Sequence, residues 1–205
     1  MTTVASPPKS PPTAGQPPAQ RPTATFGPAP KPAETGVWVA IATISMSFAA
    51  LTSAMVVRAS AATDWQHFRL PPILYLNTLV LLASSFTLAS ARRRITAAQA
   101  LDGLPRLYFT LGLGLLFVAG QVVAWRQLAA QGLFLATSPS SAFFYLFTAL
   151  HGLHVLGGLG GLLYVLRRLR RVGPVPVTAL GAAALYWHFM DVLWLYLLMI
   201  LTIRM

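Results

Sequence analysis

Apolar side chains along this chain gather into five long blocks separated by short polar stretches, with no alternation of apolar and polar positions inside the blocks. Their cores run over about residues 37–57, 71–91, 104–125, 142–166 and 178–203. Each approaches the ~20 residues that a helix rising about 1.5 Å per residue needs to cross about 30 Å of hydrocarbon. A membrane-spanning β-strand is about half that length and alternates. The pattern therefore predicts an all-α integral membrane protein with five transmembrane helices. Prolines are expected to mark the boundaries: Pro71 and Pro72 opening the second span, Pro105 the third, Pro139 preceding the fourth, and Pro174 and Pro176 in the loop before the fifth.

Residues 1–36 differ in kind. They hold ten of the sixteen prolines among Ala, Thr, Ser and Gln, with no apolar run long enough to bury. This segment reads as a disordered tail, and residues 37–205 as one membrane domain. The apolar core of a cleavable signal is missing from the tail, so the first span is expected to act as the insertion signal.

Composition agrees with lipid as the solvent. Hydrophobic residues make up 56% and charged residues 9%, with a mean hydropathy of +0.64, whereas soluble chains are roughly one-quarter charged. The charge is lopsided, 15 Lys and Arg against 4 Asp and Glu. In a soluble protein that excess would suggest a nucleic-acid partner; in a membrane protein it marks cytoplasmic loops, and no nucleic-acid partner is expected. Lys9, Arg21, Lys31, Arg92, Arg93, Arg94, Arg106, Arg167, Arg168, Arg170 and Arg171 fall on one side, and Arg58, Arg69, Arg126 and Arg204 on the other. The positive-inside rule then places the N-terminus in the cytoplasm and the C-terminus outside. The Arg167, Arg168, Arg170 and Arg171 cluster is also a candidate site for an anionic lipid such as cardiolipin. Cysteine is absent, which removes disulfides, thiolate metal sites and cysteine nucleophiles together.

Polar groups inside spans are costly, so each asks for a reason. The hydroxyls of the first span can bond back to their own helix. Asn77, with Ser84 and Ser85, is expected to bond a neighbouring helix, and Gln121 to bridge helices near Gly112, Gly114 and Gly120, where backbones can approach. In the fourth span His151 and His154 lie three apart and share a face, followed by the small pair Gly157 and Gly161; in the fifth, His188 and Asp191 share a face, with Trp187 and Trp194 on either side of Asp191. Four chemistries fit these residue types: helix-to-helix bonding, haem ligation by His154 with His188, a mononuclear metal site on the three histidines and Asp191, or a proton relay through His188 and Asp191.

The segments HGLHVLGG, YWHFMDVLWLYL, LPPILYLNTLVLLASSFTLA and GQVVAWRQL resemble the corresponding helices of the cytochrome c oxidase subunit III family, over about residues 37–205. The resemblance implies a subunit without catalytic centre, cofactor or metal of its own, in a short five-helix form. It implies packing against subunit I and subunit II, which hold the haems and copper, with subunit IV, cytochrome c or a quinol-oxidising complex as further partners. It also implies phospholipid binding, a stabilising role toward subunit I, and residence in a prokaryotic inner membrane. Asn77, Gln121, His151, His154, Trp187, His188, Asp191 and Trp194 then become structural, lipid-facing or subunit-contact groups. Subunit III of a quinol oxidase and the accessory subunit of a nitric oxide reductase are alternative memberships; a small transporter or di-haem cytochrome is a more distant one. Two departures stand out: many relatives have seven spans, and many carry a buried glutamate in the helix matching residues 37–57, where this chain has no acid.

Overall fold

The computed structural model describes residues 32–61, 63–96, 100–171 and 177–205. Most of the proline-rich tail, together with Pro174 and Pro176, lies outside the described residues. Five α-helices follow one another: α1 (Pro32–Ala61), α2 (Ile73–Thr96), α3 (Ala100–Ala130), α4 (Pro139–Arg171) and α5 (Val177–Arg204). All five are long and apolar enough to cross a membrane. Helices are the expected answer, because a segment in hydrocarbon must satisfy its backbone N–H and C=O groups internally.

The helices extend past the apolar cores that the sequence delimits. Helix α2 continues through Arg92, Arg93 and Arg94, and α4 continues to Arg171. Nothing in those residues breaks the backbone ladder, and cations in a last turn are favoured by the partial negative charge of a helix C-terminus. Helix α1 starts at Pro32, inside the segment assigned to the tail. Helix α3 starts at Ala100, so Pro105 sits within it rather than opening it. Pro139 does open α4, at the first helical position, where its missing N–H does no harm. Ser138 caps that helix: its N–H donates to Ser141 Oγ at 3.1 Å, and the N–H of Ser141 donates to Ser138 Oγ at 3.2 Å, a reciprocal capping arrangement. Just before it, Gly132 adopts φ 78°. It closes α3 with bonds from Gly132 N to Ala129 O at 3.0 Å and from Leu133 N to Leu128 O at 3.1 Å, the Schellman pattern that favours glycine.

Helices α4 and α5 each pack against three others, α5 against α1, α2 and α4, and α4 against α1, α3 and α5, while α3 closes the ring between α2 and α4. Helix α1 lies outside the ring and touches only α4 and α5. Asn77 meets Phe117 and Thr87 meets Thr110 across α2 and α3, Phe117 meets His151 and Trp125 meets Thr148 across α3 and α4, and His151 meets Trp194 and His154 meets Tyr186 across α4 and α5, so these sequence neighbours run antiparallel. Trp187, Trp194, Phe48, Phe117, Phe144 and Phe147 fill the centre and are fully buried. At the end where α5 finishes, the α1–α2 loop closes over it: Phe68 N donates to Met205 O at 2.8 Å and Trp65 Nε1 to Arg204 O at 3.0 Å. Those carbonyls belong to the last turn and lack helical partners of their own.

Glycines set two of the close approaches. A Cβ at Gly120 would overlap the Asn77 amide of α2, and one at Gly114 would stand 2.7 Å from Leu159 and 2.8 Å from Trp187. The sequence points to Gly157 and Gly161 as the contact surface of α4. The tight position is instead Gly158, 3.1 Å from Tyr186, while a Cβ at Gly161 meets nothing within 4 Å. Helix spacing alone does not say which of the four clustered glycines, Gly157, Gly158, Gly160 and Gly161, faces the neighbour.

Gly120→Ala is therefore expected to destabilise the detergent-solubilised protein by about 1–3 kcal/mol, the usual cost of overpacking. Gly112→Ala, where a Cβ meets nothing within 4 Å, should stay within about 0.5 kcal/mol. Denaturation titrations of the two variants in mixed micelles check the contrast.

Candidate functional site

The intramembrane polar residues form two groups around α5. On its α2 side, Trp187 Nε1 donates to Ser84 Oγ at 3.0 Å and Trp194 Nε1 to Thr78 Oγ1 at 3.0 Å. The tryptophans are seven residues apart, two helical turns, so both indoles present their N–H to one face of α2. Between them, His188 Nδ1 bonds Ser85 Oγ and lies 3.9 Å from Asp191 Oδ2. Asp191 is buried, 5% exposed, and neither of its oxygens has a hydrogen-bond partner. Asn77 Nδ2 donates to Phe117 O of α3 at 3.3 Å.

On the α3 and α4 side the contacts are aromatic. His151 is fully buried, edge-on to Phe117 at 5.8 Å and against Trp194 at 5.1 Å, and neither ring nitrogen has a hydrogen-bond partner. Phe117 in turn meets Trp194 edge-to-face at 5.0 Å, a favoured ring geometry. His154, one turn further along α4, has different neighbours. Its Nδ1 bonds Leu150 O at 2.7 Å and its ring meets Phe48 of α1 at 6.0 Å. The amide of Gln121 is also buried and finds no partner among the described residues.

These positions bear on two of the chemistries that the sequence leaves open, haem ligation and a metal site. His188 faces α2 through Ser85, whereas Tyr186, two residues earlier, donates to His154 O at 3.1 Å. Residues two apart on a helix point in nearly opposite directions. His154 and His188 thus stand on opposite sides of α5 and cannot oppose each other across one iron. Among the described residues no group of three or more His, Cys, Asp and Glu side chains is placed to hold a metal. The structure brings together His188 with Asp191 and His151 with Trp194, and it separates His151 from His154 by neighbours despite their shared face.

Thr78, Thr148 and Phe117 complete these contacts and escape the sequence reading. Thr78 accepts from Trp194, and Thr148 accepts from Trp125 at 3.0 Å. A membrane threonine can always bond its own helix, as Thr78 also does to Leu74 O, so its sequence gives no sign of a second partner.

Two hollows lie toward the end where α4 finishes. A cleft of about 470 Å³ between α1, α4 and α5 is walled by small residues, among them Gly36, Ala40, Gly157, Gly161 and Ala183. Tyr164 lines both this cleft and an adjoining hollow of about 390 Å³ formed with Arg167, Arg168 and Arg171. Arg168 donates to Tyr164 OH at 3.0 Å. Arg170 turns away and donates to Tyr108 OH of α3 at 2.8 Å, so three of the four clustered arginines face the hollow.

Because His151 has no hydrogen bond to lose, His151→Leu is expected to leave stability within about 1 kcal/mol or raise it. Trp194→Ala, which removes a fully buried ring and its bond to Thr78, should cost about 3–5 kcal/mol. Side-by-side detergent unfolding curves test the pair.

Comparison with known proteins gives a consistent result. The family model described as cytochrome c oxidase subunit III matches residues 38–204. A Mycobacterium bovis protein named probable cytochrome c oxidase subunit 3 is 36% identical over 152 residues, covering 68% of this chain and 71% of its own. The Mycobacterium leprae protein of the same name is 35% identical over 176 residues, covering 80% and 82%. Cytochrome c oxidase subunit 3 of Gallus gallus is 36% identical over 126 residues, covering 60% of this chain and 47% of its own.

Proposed function

Because the chain belongs to the cytochrome c oxidase subunit III family, we propose that it is the non-catalytic third subunit of a prokaryotic respiratory cytochrome c oxidase. The observation that carries this reading is the family match over residues 38–204, which takes in all but the first few residues of the five-helix body. In this role the chain contributes to aerobic electron transport, in which oxygen is reduced to water and protons are translocated. Haems and copper belong to subunits I and II. The chain's own contribution is mechanical: a rigid wall of interlocked aromatic rings beside subunit I. The basic end of the bundle faces the cytoplasm, which puts the N-terminus inside and the C-terminus outside an inner membrane.

Phospholipid binding is the second part of the proposal. The small-residue cleft suits acyl chains, and the hollow beside Arg167, Arg168 and Arg171 suits an anionic headgroup at the cytoplasmic interface. His188, Asp191, Trp187 and Trp194 serve as structural groups that tie α5 to α2, with no proton-carrying role assigned to them. The absence of an acid between Val37 and Val57 leaves α1 without a titratable carboxyl there.

A tagged chain is expected to copurify from its host with a haem-bearing subunit, and the Soret band to follow that subunit when the complex is dissociated. Full assembly of an oxidase without this chain, or a Soret band kept by the isolated chain, would overturn the reading. For the lipid, the double variant Arg167→Gln, Arg171→Gln should retain roughly thirtyfold less anionic phospholipid after purification, at about 1 kcal/mol per cation. Quantitative lipid mass spectrometry of the complex supplies the comparison.

A further inference from the structure

A third hollow lies at the basic end of the bundle, across the ring from the small-residue cleft. It measures about 340 Å³ and follows the α2–α3 seam, with Phe86, Thr87 and Ser90 on the α2 wall and Pro105, Arg106 and Phe109 on the α3 wall. Thr87 Oγ1 and Thr110 Oγ1 share a hydrogen bond at 2.9 Å, which sets the register of these two antiparallel helices. Ser90 is three residues beyond that contact on α2 and Arg106 four before it on α3, so the two stand at one height to within about 1.5 Å. That height is in the same layer as the arginine cluster of α4, because Arg170 donates to the hydroxyl of Tyr108, two residues after Arg106, at 2.8 Å.

Arg106 is half-buried and forms no ion pair among the described residues. The acid one turn before it, Asp102, pairs instead with Arg94 of α2 at 3.9 Å, and Arg106 Nη1 donates only to the backbone carbonyl of Asp102 at 3.3 Å. Most of its five guanidinium N–H groups are therefore left unused. Ser90, half-buried opposite, makes no hydrogen bond among the described residues. One turn deeper on each helix stands an uncovered ring. Phe86, four residues before Ser90, is 79% exposed, and Phe109, three after Arg106, is 59% exposed.

A guanidinium at the edge of hydrocarbon with no counter-charge calls for an anion, and a phosphodiester accepts from it in paired geometry. Two apolar rings directly beneath suit chains attached to that phosphate. We propose that the α2–α3 hollow binds one phospholipid of the leaflet at the basic end, its phosphate held by Arg106 and Ser90 and its acyl chains lying on Phe86 and Phe109. The site is distinct from the cleft and hollow beside Arg167, Arg168 and Arg171. It offers one unpaired cation rather than three, so it recognises the phosphate itself, and zwitterionic and anionic phospholipids occupy it alike.

The absence of native cysteine makes the test direct. In the full chain, purified in mild detergent and stripped of lipid, Phe109→Cys is expected to react with a maleimide more slowly once dihexanoylphosphatidylcholine or dihexanoylphosphatidylglycerol is added, and to a similar degree with either. Inorganic phosphate at the same concentration should leave the rate unchanged. Adding Arg106→Gln should raise the phospholipid concentration needed for protection by about fivefold, whereas Arg106→Lys, which keeps the charge, should raise it by at most about twofold. Should Arg106→Gln unfold early in detergent, Ser90→Ala decides instead, with an expected rise of about threefold. The double variant Arg167→Gln, Arg171→Gln should leave this protection intact, which separates the site from the lipid site of α4. Equal protection by inorganic phosphate would make the hollow a free-anion site, and protection indifferent to Arg106 and Ser90 would make it a plain apolar surface. A benzophenone side chain at Phe109 that joins a second protein in native membranes would put a partner helix there. Each of these three results overturns the proposal, and none of them bears on whether the chain copurifies with haem.

Discussion

In hydrocarbon a polar group has only protein to bond, and the architecture follows from how this chain meets that demand. The two indole N–H groups of Trp187 and Trp194 find hydroxyls on α2. Those two bonds fix the height and rotation of α5 against α2, and α5, like α4, has three other helices packed upon it. With α5 so placed, Phe117 and His151 close on the Trp194 ring from α3 and α4. The remaining helix, α1, packs on the outside of α4 and α5. Apolar attraction does not distinguish one helix from another when lipid tails are equally apolar, so these few directional contacts and the close glycine approaches select the arrangement.

The same constraint explains how the polar residues are used. Hydroxyls serve twice, bonding their own helix and accepting from a tryptophan, as Thr78 does. Asn77 spans to a backbone carbonyl of α3. Histidines are distributed rather than gathered: His151 among rings, His154 against its own helix and α1, His188 on α2. A chain that braced a catalytic partner would need this stiffness more than any reactive centre. Gln121, His151 and Asp191 are the exceptions, buried with no hydrogen-bond partner among the described residues.

Much of the fold was legible from residue order. Five apolar blocks gave five helices, Pro139 marked the start of α4, and the segments around His151 and His188 carried the family. Helix ends were less legible, because hydropathy measures the hydrocarbon core whereas the backbone ladder continues into the headgroups through Arg92–Arg94 and Arg167–Arg171. Pro105 misled for a related reason: a proline near a helix start removes a bond that is easily spared, so it need not be the boundary itself. For the polar residues, the sequence placed Asn77, His188 and Asp191 in the spans but could not name Ser85, Phe117 or Thr78 as their neighbours or those of the tryptophans.

By itself the sequence determined the solvent, the number of crossings and the family, since these depend on composition and on spacing along one helix. Which histidine meets which helix, which glycine is tight and which amide is left unpaired were decided only in three dimensions. The physical reason is that helical spacing fixes a residue's direction relative to its own axis, while the rotation of each helix about that axis is set by contacts with its neighbours. His151 and His154 show the difference: one turn of sequence makes them neighbours, and the packing of α1, α3 and α5 gives them separate surroundings.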